Sequence, residues 1–148
     1  MNLCRENGSI WGRNSKMMAP FTGTKKSINY ISEDYPAKMH WCLNKLMPTE
    51  SIILSESVLD ATKCHQLQHT HRSAALLGTV FNDETIKCLL EANIKHVVLA
   101  LDPDALAKAA SLVSKYRVFF NTFKILSLSK DPKDLSQEEF DDEIVSNL

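Results

Sequence analysis

From Ser51 onward the chain alternates between short apolar runs and longer segments of mixed polarity. Ser51–Ser55 (SIILS) and His96–Leu101 (HVVLAL) are the clearest runs. Each is short for a helix, and neither alternates as a strand with one wet face would, so both predict strands covered on both faces. Ala74–Leu77 predicts another strand, closed by Gly78-Thr79, and Val118–Leu128 contains a fourth around Phe123–Leu128. The segments between them carry helical spacing. Val58–Gln68 has Leu59, Thr62, Cys64 and Leu67 along part of a stripe, and Asn82 or Asp83 caps a helix with Ile86, Leu89 and Leu90 on one face, running to about Asn93. A third helix opens at Asp104 and runs through Lys115. Lys130–Leu135 is a turn, after which Ser136 caps a last helix with Glu139 placed to complete a capping box. Strands alternating with helices of roughly ten residues are βαβ units. They predict an α/β fold: a mostly parallel four-stranded sheet with right-handed crossovers, flanked by helices.

The first fifty residues read differently. Asn7-Gly8 is a hairpin turn, and a loop carrying Arg13, Lys16, Lys25 and Lys26 follows it. The expectation is a small β-rich N-terminal extension over residues 1–50, preceding an α/β domain over 51–148.

Composition adds limits. At 148 residues, 44% hydrophobic and 24% charged, the chain is an ordinary soluble domain with room for one sizeable core. Its net charge of −1 excludes a strongly basic nucleic-acid wrapper but leaves local segregation of charge open. No apolar stretch approaches the ~18–20 residues that span a bilayer, and the N-terminus is not a signal peptide. No membrane partner is expected, and the predicted location is the cytoplasm. Cys4, Cys42, Cys64 and Cys88 lie far apart with no C-x-x-C pair, which fits a reducing compartment. Cys64, His65, His69 and His71 form a single segment, whereas structural zinc takes paired ligands from two, so they predict a buried helix-face cysteine among surface histidines.

The candidate chemistry lies where the apolar runs stop. The first strand ends on Glu56 with Asp60 four residues later, and the third ends on Asp102-Pro103-Asp104. Ligands of open α/β sheets bind beyond the carboxyl ends of parallel strands, and oxygen-only donors select hard cations such as Mg²⁺. The bland alternative for Asp104 is a helix cap, which explains one acid of the pair and leaves the other. Asp60 either joins the same acidic group or sits in a helical first turn. Asp131 and Asp134 read from residue type alone as turn formers.

Taken in order, Glu56-Ser57-Val58-Leu59-Asp60, Leu77-Gly78-Thr79, Asp102-Pro103-Asp104 and Asp131-Pro132-Lys133-Asp134 resemble the Toprim domain, in the form found in bacterial and phage DNA primases. That domain reads as a strand ending in E-G-x-x-D, a strand ending in L-G-T, a strand ending in D-x-D, and a D-P-rich turn. Upstream, Gly8-Ser9-Ile10-Trp11-Gly12-Arg13 is similar to the segment that opens the primase catalytic core, and Lys26-Ser27-Ile28-Asn29 to its basic K-Y-L-N segment. The resemblance implies metal-dependent nucleotidyl transfer that makes RNA primers on single-stranded DNA from ribonucleoside triphosphates, in a bacterial cell or a phage-infected host. It implies Mg²⁺ or Mn²⁺ held by Glu56, Asp102 and Asp104, with Asp60 and Asp131 in support, and Arg13, Lys25, Lys26 and Asn29 toward nucleotide or DNA. A replicative helicase or a separate zinc-binding module is an expected partner, since no zinc ribbon or helicase segment is recognised in the 148 residues. Three positions depart from the family pattern: Ser57 and Ala107 stand where it has glycine, and Lys133 where it has the second acid of the turn, which is displaced by one residue to Asp134. The rival readings are a Toprim nuclease, with Glu56 as general base, and an idle Toprim module that binds nucleic acid or a replication partner.

Overall fold

The computed structural model describes residues 2–4, 10–16, 27–31, 39–42, 49–67, 71–77, 81–101 and 106–148. Strands β1 (Asn2–Cys4), β2 (Ile10–Lys16) and β3 (Ser27–Ile31) form an antiparallel sheet. The Asn7-Gly8 turn lies outside the described residues, and the strands flanking it pair antiparallel, as a hairpin requires. The second sheet has five strands. In chain order these are β4 (His40–Cys42), β5 (Ser51–Ser55), β6 (Arg72–Ala75), β7 (His96–Leu101) and β8 (Thr122–Ser127), and their spatial order is β4-β6-β5-β7-β8. The last four are parallel, as the apolar runs predict; β4 precedes residue 51 and adds an antiparallel edge to β6. β1 lies close to β4, which brings the small sheet against that edge.

The continuous apolar runs are explained by two cores. Ile52, Leu54, Val97, Leu99 and Leu101 face one, beneath helices α2 (Asp83–Glu91) and α3 (Leu106–Tyr116), which supply Ile86, Leu89, Ala109 and Tyr116. Ile53, Val98 and Ala100 face the other, beneath α1 (Val58–Leu67) and α4 (Gln137–Glu143), which supply Cys64 and Phe140. Successive strand residues point to opposite faces, so a strand sandwiched between helices is apolar along most of its length, and the buried serines Ser55 and Ser73 are each hydrogen-bonded. The faces also follow the connections. Passing from β5 to β6 places α1 on one side. The chain then reverses direction across the sheet to β7 and β8, and right-handed crossovers carry α2 and α3 to the opposite side.

Several boundaries and faces differ from expectation. The buried stripe of α1 is Val58, Ala61 and Cys64, one residue out of phase with the expected Leu59 and Thr62, and Leu59 is 46% exposed. The cause is Asp60, whose buried anchorage sets the rotation of the helix. On α2, Ile86 and Leu89 are buried while Leu90 is 44% exposed. β6 ends at Ala75, although Leu76 N–H still donates to the Ser55 carbonyl at 2.8 Å; Leu77 then turns the chain out of the sheet at φ 56°. Helix α2 stops in a Schellman motif. Asn93 sits at φ 58° and donates to Leu90 O (3.0 Å), while Ile94 N donates to Leu89 O (3.0 Å).

Candidate active site

The parallel register sets Ser55 beside Ala100, so Glu56, the next residue, follows β5 at the level of Leu101, the last residue of β7. Glu56 is half-buried there. From β5 the chain leaves through α1 toward β6, on one face; from β7 it leaves through α3 toward β8, on the other. Connections that diverge in this way open a crevice between two carboxyl ends, and such a switch point is where doubly wound sheets place ligands. Asp102 and Asp104 lie outside the described residues, as do Gly78 and Thr79; the strand leading into the two acids ends at Leu101.

Asp60, in the first turn of α1, is 2% exposed. Its Oδ2 accepts from the Ser57 hydroxyl, and its Oδ1 accepts from the backbone N–H of Lys133 at 3.1 Å. Ser57 Oγ in turn accepts from Asp60 N–H at 3.3 Å, and Ser57 O from Ala61 N–H at 3.1 Å, so Ser57 is the N-cap of α1. This role escaped the sequence reading, although serine followed three residues later by an acid, just before a helix, is its sequence signal. It gives the serine at the family's glycine position a structural purpose.

The short 3₁₀ turn Pro132–Asp134 carries a cation into this corner. Lys133 Nζ pairs with Asp131 Oδ2, and stands 3.6 Å from Asp134 Oδ2 and 3.9 Å from Asp60 Oδ1. Burial pulls the Lys133 ammonium toward neutrality, but the hydrogen bond to Asp131 and the charges of Asp60, Asp131 and Asp134 outweigh it, raising its pKa above 10.5. Asp131 and Asp60 are thus brought together, by a lysine. Among the described residues, no three His, Cys, Asp or Glu side chains stand close enough to hold a metal ion. Cys64 is buried beside Ser55 Oγ at 3.6 Å, as a helix-face cysteine should be.

Of the basic candidates, Lys25 and Lys26 lie outside the described residues, and so do the side chains of Arg13 and Asn29. Their backbones fall on neighbouring strands: Arg13 on β2 opposite Tyr30, and Asn29 on β3 opposite Asn14. Among the described residues no helix is long and apolar enough to cross a membrane.

A family model described as Toprim-like matches residues 53–137. No curated protein matches the chain in sequence. Among solved structures, the chain is similar to the RNA polymerase domain of Mycobacterium tuberculosis primase DnaG, at 16% identity and a TM-score of 0.75, covering 97% of this chain and 53% of that one. It is similar to the Aquifex aeolicus primase (zinc-binding and RNA polymerase domains) at 19% identity and a TM-score of 0.75, covering 99% and 39%. A DnaG primase catalytic domain bound to ssDNA matches at 18% identity and a TM-score of 0.69, covering 93% and 47%. At these identities the likeness is one of fold. It extends over 93% of this chain or more, and the chain spans 39% to 53% of those three.

Proposed function

Because this chain belongs to the Toprim-like family, we propose that it carries the metal-binding part of a primase-type nucleotidyl-transfer centre, acting on single-stranded DNA and ribonucleoside triphosphates. The observation that supports this reading best is the strand order. It sets the carboxyl ends of β5 and β7 side by side, with Glu56 following one of them, and this supports a shared site for Glu56 and the acids that follow Leu101 in sequence. The donor chemistry fits a hard divalent ion: Glu56, Asp102 and Asp104 offer only carboxylate oxygens. When bound, Mg²⁺ or Mn²⁺ supplies charge neutralisation for the triphosphate and activates the attacking hydroxyl.

The chain's own residues do the rest. Glu56 and Asp102 hold the ion on a rigid base, since each follows directly from a buried strand. Asp104, at the start of the segment entering α3, completes the oxygen set. Asp60 and Asp131, the supporting acids of the family pattern, flank the centre and are paired with Lys133. Arg13, Lys25, Lys26 and Asn29 belong to the β2–β3 region, and their role is to hold nucleotide or template phosphates, which a chain of net charge −1 must bind through a local concentration of cations. A helicase or a zinc-binding module completes the working assembly.

Lys133 favours a second reading, an idle Toprim module that binds nucleic acid without chemistry, because it sets a cation where the family pattern has an acid. One assay separates the possibilities. The protein is incubated with single-stranded DNA, ribonucleotides and Mn²⁺. RNA primers are the expected product; cleaved DNA points to a nuclease; DNA binding with neither product points to the idle module.

A further inference from the structure

Resting on that reading, we propose that Lys133 is a built-in cation that replaces a divalent ion on the Asp60–Asp131–Asp134 side of the site and confines metal binding to the Glu56 side. Three carboxylates surround one ammonium here, and one of them, Asp60, is 2% exposed. Gathered carboxylates repel one another and need a compensating positive charge. In this chain the charge arrives on the same turn that supplies two of the acids. Lys133 is held from both ends, its backbone N–H by Asp60 Oδ1 at 3.1 Å and its Nζ by Asp131.

The second acid of the turn is displaced by one residue, to Asp134, so three acids remain and Lys133 adds one fixed positive charge among them. An ammonium also differs from a metal in reach. It tolerates the 3.6 and 3.9 Å separations to Asp134 and Asp60, whereas Mg²⁺ demands oxygens at about 2.0–2.1 Å. Among the described residues around Lys133, the three acids form no three-ligand cluster of the kind that holds a metal. Lys133 cannot exchange, carry a bound water or act as a Lewis acid, so this side of the site is electrostatically neutralised and chemically silent.

The test counts bound Mn²⁺ on the full chain by the loss of its free-ion electron paramagnetic resonance signal, for the unmodified protein, Lys133→Asp, Lys133→Met and Lys133→Arg. Lys133→Asp is expected to bind one more Mn²⁺ per chain than the unmodified protein. Lys133→Met should melt lower without metal and recover with Mn²⁺ by a larger upshift than the unmodified chain shows. Lys133→Arg, which keeps the charge, should match the unmodified chain in both. Should Lys133→Asp fold only with Mn²⁺ present, that too supports the inference. Equal Mn²⁺ counts in the unmodified chain, Lys133→Asp and Lys133→Met would overturn it. The reading it rests on is tested separately by Asp102→Asn. If the extra ion of Lys133→Asp survives Asp102→Asn while the original one is lost, both stand. If the unmodified chain and Asp102→Asn bind equally, the proposed metal centre fails, whatever Lys133 does.

Discussion

Asp102 and Asp104 are proposed to share an ion with Glu56, and charge repulsion makes that testable by stability. Converging carboxylates destabilise the metal-free fold, and an ion that binds only the folded state stabilises it by mass action. The melting temperature should rise with millimolar Mn²⁺. Asp102→Asn or Asp104→Asn should remove that rise and leave the metal-free protein as stable or slightly more so. A melting temperature indifferent to Mn²⁺ would refute the metal centre. A different residue governs mild acid. His40 is 7% exposed, and burial lowers its pKa from 6.5, as it does for His71, where the charge of His96 adds to the effect. The unfolded chain therefore takes up these protons first. The stability they contribute is complete above about pH 6.5 and is lost as the pH falls toward the folded-state values. The urea midpoint should fall between about pH 7.5 and 5.5, and His40→Gln should flatten part of that slope. A flat profile in the unmodified chain would contradict it.

Among the elements, α4 depends on its ends. Ser136 Oγ accepts from Glu139 N–H at 3.2 Å, and a Glu139 carboxylate oxygen accepts from Ser136 N–H at 2.9 Å, a complete capping box on a seven-residue helix. So short a helix is held by its cap and by Phe140, buried among Leu126, Leu128 and Ile144. Ser136→Ala should cost about 1 kcal/mol, read as a downward shift of the melting temperature by roughly 2–4 °C; no shift would show that Phe140 alone suffices. This cap was readable in the sequence because its partners are three residues apart. The rotation of α1 was not. Leu59 has the right residue type for the core, but Asp60, tied to a turn more than seventy residues later through Lys133 N–H, decides which face turns inward.

As a whole molecule, the chain spans 39% to 53% of the primase structures it matches. On the proposed reading, the Toprim-like domain supplies the acids for phosphate chemistry, and a zinc-binding module or helicase supports template selection and delivery of single strand. The isolated chain should therefore synthesise primers weakly or not at all on natural template, and addition of a primase zinc-binding module in trans should raise the yield. Robust, sequence-specific priming by these 148 residues alone would contradict this.

Local pattern determined much of this protein by itself. The four parallel strands, the helices between them, a cap at Asn82 or Asp83 and the Ser136 cap were written in runs and spacings a few residues long, because propensity, capping and burial on both faces act over that range. Which strands become neighbours acts over the whole chain. Only the tertiary structure placed β5 between β6 and β7, attached β4 as an antiparallel edge, and made the ends of β5 and β7 a switch point. It also decided that Lys133 stands among Asp60, Asp131 and Asp134. Residues 60 and 133 share no local signal. They meet because α1 and the 132–134 turn pack together, and the buried carboxylate then takes the cation that this packing supplies.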